Sequence, residues 1–220
     1  MEPLTHDWMI EQREYDRQQE RRGRRHAFTT LDPRRTALVV VDMVPFFVAD
    51  MEYVQGIVPT IERLAHALRQ AGGTVAWVLP GTTERTATTD ELYGPEVAEL
   101  FRTSGGEGPL EKRLWHEFTV APEDLLVEKT ASSAFFPGRC DLPNKLRERD
   151  IDTVLITGTV ANVCCESSAR DASTLGYRVI MVADANAARR DQDLNATLYT
   201  IYRTFGDVRP TDEILDLIAH

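Results

Sequence analysis

Three side chains stand where an apolar run gives out: Asp42 after Thr36-Ala37-Leu38-Val39-Val40-Val41, Lys129 after Leu125-Leu126-Val127-Glu128, and Cys164 shortly after Thr153-Val154-Leu155-Ile156-Thr157. A carboxylate beside a thiol can take its proton, and an ammonium can hold the carboxylate ionised and favour a thiolate. Backbone N–H groups at a helix start can stabilise the oxyanion that forms when sulfur adds to a carbonyl. The stretch from Gly158 to Ala172 reads as a strand end, a tight turn and a helix start, with Asn162 as N-cap and Cys164 in the first helical turn. The helix dipole favours negative charge there, so this thiol is expected to ionise more easily than a free cysteine. Cys165, Ala169 and Ala172 form a small apolar stripe at helical spacing, suited to packing on a sheet, which leaves Cys164 as the better nucleophile. Each residue also has a plainer reading: Asp42 capping the following loop, Lys129 reaching water, and two inert thiols packing a helix onto a sheet.

For the three to meet, the runs before them must be parallel strands of one sheet, whose C-terminal edge is where open α/β sheets bind ligands. Ile57, Ile61, Leu64, Ala65 and Leu68, opened by Gly56 and Pro59 and closed by Gly72-Gly73, have the spacing and punctuation of a helix. That helix joins the strand ending at Val41 to Thr74-Val75-Ala76-Trp77-Val78, a βαβ unit with a right-handed crossover. Further strands are expected at 125–128, 153–157, 178–182 and 207–208, alternating with helices over 141–149, 163–175, 192–203 and 212–219. Such alternation predicts a three-layer α/β/α domain around a six-stranded, mostly parallel sheet.

Residues 1–30 carry a run of arginines mixed with acids and no sustained apolar stripe, so they read as an arm or short helix outside a single domain spanning 31–220. Residues 80–122 are the least regular part, with one short helical stretch near 96–101; a connection this long is usually functional or disordered. Trp115, His116 and Phe118 near its end can wall a pocket or simply pack.

Composition narrows the classes. A net charge of −10 argues against nucleic acid as a partner and weakly against anionic membranes. Three cysteines, two of them adjacent, imply no disulfide framework and fit a reducing cytoplasm. No leader and no stretch of membrane-spanning length is legible. None of the five histidines has a second ligand at metal-binding spacing, so no protein-bound metal is expected.

With these residues in view, the sequence resembles the isochorismatase-like cysteine hydrolases, a family that includes nicotinamidases, N-carbamoylsarcosine amidases and ureidoacrylate or biuret amidohydrolases. The resemblance runs from about Arg35 to the C-terminus, through Ala37-Leu38-Val39-Val40-Val41-Asp42-Met43, Val127-Glu128-Lys129 with Ser133-Ala134-Phe135-Phe136, and Gly158 to Ala172. It implies the isochorismatase-like (Rossmann-like) fold, Asp42 as base, Lys129 as its positioning partner and Cys164 as nucleophile. It also implies a cis peptide at Thr159-Val160, with the Val160 and Cys164 N–H groups forming an oxyanion hole. The implied reaction is C–N hydrolysis of a small amide, carbamoyl or ureido substrate, with no cofactor, in a homodimer or homotetramer.

Many members have Gln and Asn where this chain has Val44 and Pro45, and Thr where it has Ala161. Thr82-Thr83-Glu84-Arg85 lacks the Asp and His metal cluster of nicotinamidases, which makes nicotinamide a poorer fit. Phe47, Trp115 and Ala161 are the candidate substrate contacts. Two alternatives remain open: vinyl ether or ester hydrolysis of the isochorismatase type, and a small-molecule binding protein without turnover.

Overall fold

The computed structural model describes residues 4–219. Six strands form one sheet: β1 Thr36–Val41, β2 Thr74–Pro80, β3 Leu125–Lys129, β4 Thr153–Thr159, β5 Arg178–Ala187 and β6 Asp207–Arg209. Their order is β3-β2-β1-β4-β5-β6, and every pairing is parallel, so the "mostly parallel" expectation tightens to a wholly parallel sheet. The order reverses direction at the β1/β4 junction, the switch point at which crossovers leave a crevice beyond the strand ends.

Both faces of the sheet are covered, which explains why β1 is buried at all six positions and shows no polar alternation. Ala37, Val39 and Val41 join one apolar cluster while Leu38 and Val40 join the other. Among the described residues, ten α-helices surround the sheet. The N-terminal segment carries α1 Gln12–Arg22, and α2 Pro45–Val48, α3 Glu52–Gly56 and α4 Val58–Gln70 follow β1. The long connection holds α5 Ala87–Tyr93 and α6 Pro95–Arg102, one helix more than its composition suggests. The rest are α7 Leu142–Glu148, α8 Glu166–Thr174, α9 Asp191–Thr200 and α10 Thr211–Ala219. Leu142, Leu146, Ala169, Ala172, Leu194 and Leu198 place α7, α8 and α9 on one face. Ile61, Leu64, Leu68 and Ile214 place α4 and α10 on the other.

β5 extends well past the expected 182, through Ala183-Asp184-Ala185-Asn186-Ala187, and its register against β4 shifts between Ile156 and Gly158. The Asn186 amide, fully buried, bridges that irregularity by donating to the carbonyls of Ile156 at 2.8 Å and Val182 at 2.7 Å. The residues ahead of β1 are docked on this body. His6 accepts the Ala188 N–H at Nε2 (3.1 Å), so its proton sits on Nδ1 and is donated to Asp191 at 2.6 Å. Ile10, Glu14 and Gln18 are buried.

Candidate active site

β1, β3 and β4 each end at the same sheet edge, and each delivers one reactive group there. Asp42 follows β1 with φ 56, while its N–H still bonds the Val78 carbonyl of β2 at 2.9 Å. Leaving the strand in this left-handed conformation, which Asp tolerates better than most residues, turns its carboxylate off the sheet. Lys129 is the last residue of β3, and its register partner Pro80 ends β2. β4 ends at Thr159, whose peptide bond to Val160 is cis, and a π-helical turn Ala161–Cys165 leads directly into α8.

The helix therefore starts earlier than expected. Val160 occupies the N-cap position without a side-chain cap, and Asn162 is an exposed residue inside the first turn. The wide turn, closed by the Cys165 N–H on the Val160 carbonyl at 3.3 Å, replaces the capping that Asn162 was expected to supply. Cys165 is fully buried in the core with Ala169 and Ala172, whereas Cys164 is half-buried.

Gly158 explains how β4 lies so close to β1. Its φ is 110, and a Cβ there would stand 2.2 Å from the Val41 carbonyl oxygen and 2.7 Å from the Val41 nitrogen, both rigid backbone atoms. Gly158→Ala is expected to cost about 3–5 kcal/mol from the strained φ and the overlap together, read as a fall in the urea midpoint. A loss below about 0.5 kcal/mol, the ordinary surface level, would show that this approach is not tight.

The three groups meet. Lys129 Nζ is 2.8 Å from Asp42 Oδ2 and 3.6 Å from Cys164 Sγ, and it also donates to the Ala131 carbonyl at 3.2 Å. The Lys129 and Asp42 side chains are only 4% and 1% exposed, so neither is a water-reaching charge. Asp42 does not cap the following loop through its side chain: both carboxylate oxygens are buried and no loop N–H reaches them among the described residues. The 2.8 Å approach of Lys129 is thus a close ion pair, and the carboxylate also faces the Cys164 thiol.

Burial pushes the Asp42 carboxyl up, and Lys129 offsets this only in part. Burial works against the Lys129 charge, but Asp42 and Cys164 more than compensate, so the ammonium titrates above its ordinary value. The Cys164 thiol is pushed up to about 12, first by burial and then by the Asp42 carboxylate, with Lys129 pulling the other way. This reverses the expectation of an easily ionised thiol. The helix-start argument counted the dipole and left out a carboxylate buried beside the sulfur. At neutral pH the thiol is protonated, and it faces a carboxylate paired with the Lys129 ammonium.

Residues outside the expected set brace this geometry. Ser168 on α8 donates to the Cys164 carbonyl at 2.7 Å and accepts the Ala134 N–H at 2.9 Å, tying the turn to the loop after Lys129. Its spacing of four from Cys164 was the available signal, since a helical serine can bond the carbonyl one turn back. Of the candidate substrate contacts, Phe47 on α2 and Trp115 are half-buried, and the Trp115 N–H bonds the Met43 carbonyl at 2.9 Å, next to Asp42. Ala161 has no exposed surface; its methyl lies in the core cluster with Cys165. A cavity of about 700 Å3 behind the end of β2 is lined by Thr82, Thr83, Glu84, Arg85, Glu99 and Arg102. None of the three reactive groups lines it, and its arginines are held by Asp90 and Glu99, so the reactive cluster is the better guide to chemistry. Among the described residues no group of three or more His, Cys, Asp or Glu could hold a metal ion, and no helix is long and apolar enough to cross a membrane.

Comparison with known proteins agrees with this architecture. The chain is 32% identical over 194 residues to the isochorismatase family protein YwoC of Bacillus subtilis, covering 86% of this chain and 96% of that one. It is 28% identical over 221 residues to the ureidoacrylate amidohydrolase RutB of Agrobacterium fabrum, covering 86% and 92%. The crystal structure of a cysteine hydrolase from Pseudomonas syringae pv. phaseolicola superposes with a TM-score of 0.76 at 30% identity, covering 88% of this chain and 97% of that one. Residues 36–213 match the isochorismatase domain, a span that begins at β1 and includes all three strand ends that carry the reactive groups, and the chain belongs to the isochorismatase family.

Proposed function

We propose that this protein hydrolyses a C–N bond of a small amide, carbamoyl or ureido substrate through a thioester on Cys164. The observation that carries the reading is the Asp42 carboxylate: buried, ion-paired with Lys129 at 2.8 Å, and set beside the Cys164 thiol, which itself lies 3.6 Å from Lys129. Burying a carboxylate is costly even when it is ion-paired, and packing alone would not require one there, whereas a proton acceptor for the thiol does.

In this mechanism Asp42 takes the Cys164 proton as sulfur adds to the substrate carbonyl carbon. The Val160 and Cys164 N–H groups receive the developing oxyanion. Collapse of the tetrahedral intermediate breaks the C–N bond, and protonated Asp42 gives its proton to the departing nitrogen. Water then adds to the thioester, Asp42 accepts a proton from it, and the acid leaves as the thiol is restored. Water is the co-reactant. Lys129 keeps Asp42 ionised between steps, and Phe47 and Trp115 wall the acyl group. The amidohydrolase and cysteine hydrolase names of two relatives support this class of reaction.

The test is ammonia release from a panel of ureido and carboxamide compounds by wild type and Cys164→Ala. Turnover by wild type, lowered by at least about 10³-fold in the variant, is the expected result. Retained hydrolysis in Cys164→Ala, or binding without turnover across the panel, would overturn it in favour of an ether or ester hydrolase or of a binding protein.

A further inference from the structure

On the opposite edge of the sheet lies a second cavity, of about 390 Å3, that the chemistry above does not use. Tyr177 and Gly206 in its wall immediately precede β5 and β6, so it opens at the N-terminal ends of these strands. Nine residue steps along β5 separate this edge from the reactive one, a distance of roughly 30 Å at strand rise.

We propose that this cavity binds a small planar organic anion, an aromatic ring that carries a carboxylate or a phosphate. Its charge is the first argument. Among the described residues Arg21, Arg22 and Arg203 line it and no carboxylate does, in a chain whose net charge is −10. Arg21 has no hydrogen-bond or ion-pair partner among the described residues, and Arg22 donates only to the Arg24 and Arg25 carbonyls. Arg203 alone has an acid nearby, Glu14 at 3.9 Å. Two guanidinium groups therefore lack a counter-charge, and their planar forks match a carboxylate or phosphate.

The walls supply the second argument. Phe28, Tyr177 and Phe205 are half-buried and line this space; Arg178 lies over one face of Phe28 and Arg170 over one face of Phe205, so a flat ligand would stack on Tyr177 or on a remaining ring face. Gln18 supplies the third. It is 3% exposed, lines the cavity, and its amide makes no hydrogen bond to any described group. This amide is open to the cavity rather than sealed in the core, and it offers a ligand a donor and an acceptor beside Arg21. The volume suits one ring with its anionic group and falls in the range of small-molecule sites.

The experiment titrates the full chain with benzoate, phenyl phosphate, inorganic phosphate and acetate, by calorimetry and by thermal shift, and repeats it with Arg21→Ala and Gln18→Leu. Arg21 is exposed and unpaired, so its variant should keep the wild-type melting temperature without ligand. Benzoate or phenyl phosphate should bind and raise the melting temperature, and the tighter of the two identifies the anion. Arg21→Ala should weaken that binding at least about tenfold, and Gln18→Leu about threefold or more. Acetate and inorganic phosphate should bind at least about tenfold more weakly than the aromatic probes. Absence of binding by both aromatic probes at about 10 mM, affinities unchanged in the variants, or equal binding of the ring-free anions would each overturn the proposal.

Discussion

Replacing Asp42 by asparagine is expected to change two rates in opposite directions: Cys164 should alkylate faster while turnover collapses. The Asp42 charge is the second largest cause holding the Cys164 thiol at about 12, and Lys129 acts against it. Asparagine removes the charge and leaves Lys129 facing the sulfur, so the thiol pKa falls. Each unit of fall gives about ten times more thiolate at neutral pH, offset by lower intrinsic nucleophilicity to a net gain of about threefold per unit. Hydrolysis loses its base and should drop by about 10²–10⁴-fold. The checks are iodoacetamide labelling of Cys164 at pH 7, read by intact mass, and ammonia release on the same samples. If both rates fall together, Asp42 is what activates the resting thiol, and proton transfer during attack is the wrong description.

That divergence separates two ways of using the same residues. A preformed thiolate would be reactive towards any electrophile that reached it. A thiol whose proton leaves only as sulfur adds to a bound carbonyl is quiet until substrate arrives. Burial and the Asp42 carboxylate both favour the second arrangement. They also set an alkaline limit on the fold. Unfolded cysteine titrates near 9.0 and folded Cys164 near 12, so the folded state holds the extra proton across that interval. Stability from this group is fully present below pH 9 and declines above it, by at most about 1.4 kcal/mol per pH unit.

The positions of Asp42, Lys129 and Cys164 were legible because each ends a continuous apolar strand, and parallel topology puts all such ends on one edge. The state of the thiol was not legible, since it depends on groups 35 and 122 positions away, at Lys129 and Asp42, pressed against it in a dry site. The second half of β5 escaped notice for a different reason. Ala183-Asp184-Ala185-Asn186-Ala187 has poor strand propensity, and pairing with β4 together with the Asn186 bridge overrides it. The N-terminal segment reads as detached because its anchors are isolated contacts, such as Ile10 in the core and His6 to Asp191, 185 positions apart, which leave no periodic trace.

Lys129→Met should be the most destabilising substitution at the site, and its cost should depend on pH. Removing the ammonium leaves Asp42 buried without its counter-charge, which typically costs about 3–5 kcal/mol. The carboxyl can escape this penalty by taking a proton. Its pKa already stands above the ordinary 3.8, with burial as the first cause, and loss of Lys129 raises it further. A folded-state pKa above the unfolded value means that the folded state binds the extra proton. The variant should therefore be nearest to wild type in acid and lose ground as pH rises through the interval from 3.8 to the raised folded value. Lys129 itself, with a pKa above the ordinary 10.5, gives wild type stability that is fully present below 10.5 and is lost as pH climbs through its folded value. Urea midpoints at pH 5 and pH 8 for wild type, Lys129→Met and the double variant with Asp42→Asn test this. The single variant should show the larger deficit at pH 8, and the double variant should recover much of it by removing the stranded charge. A deficit equal at both pH values and untouched by Asp42→Asn would mean that Lys129 stabilises the fold through packing of its aliphatic stem, and that the buried ion pair contributes little.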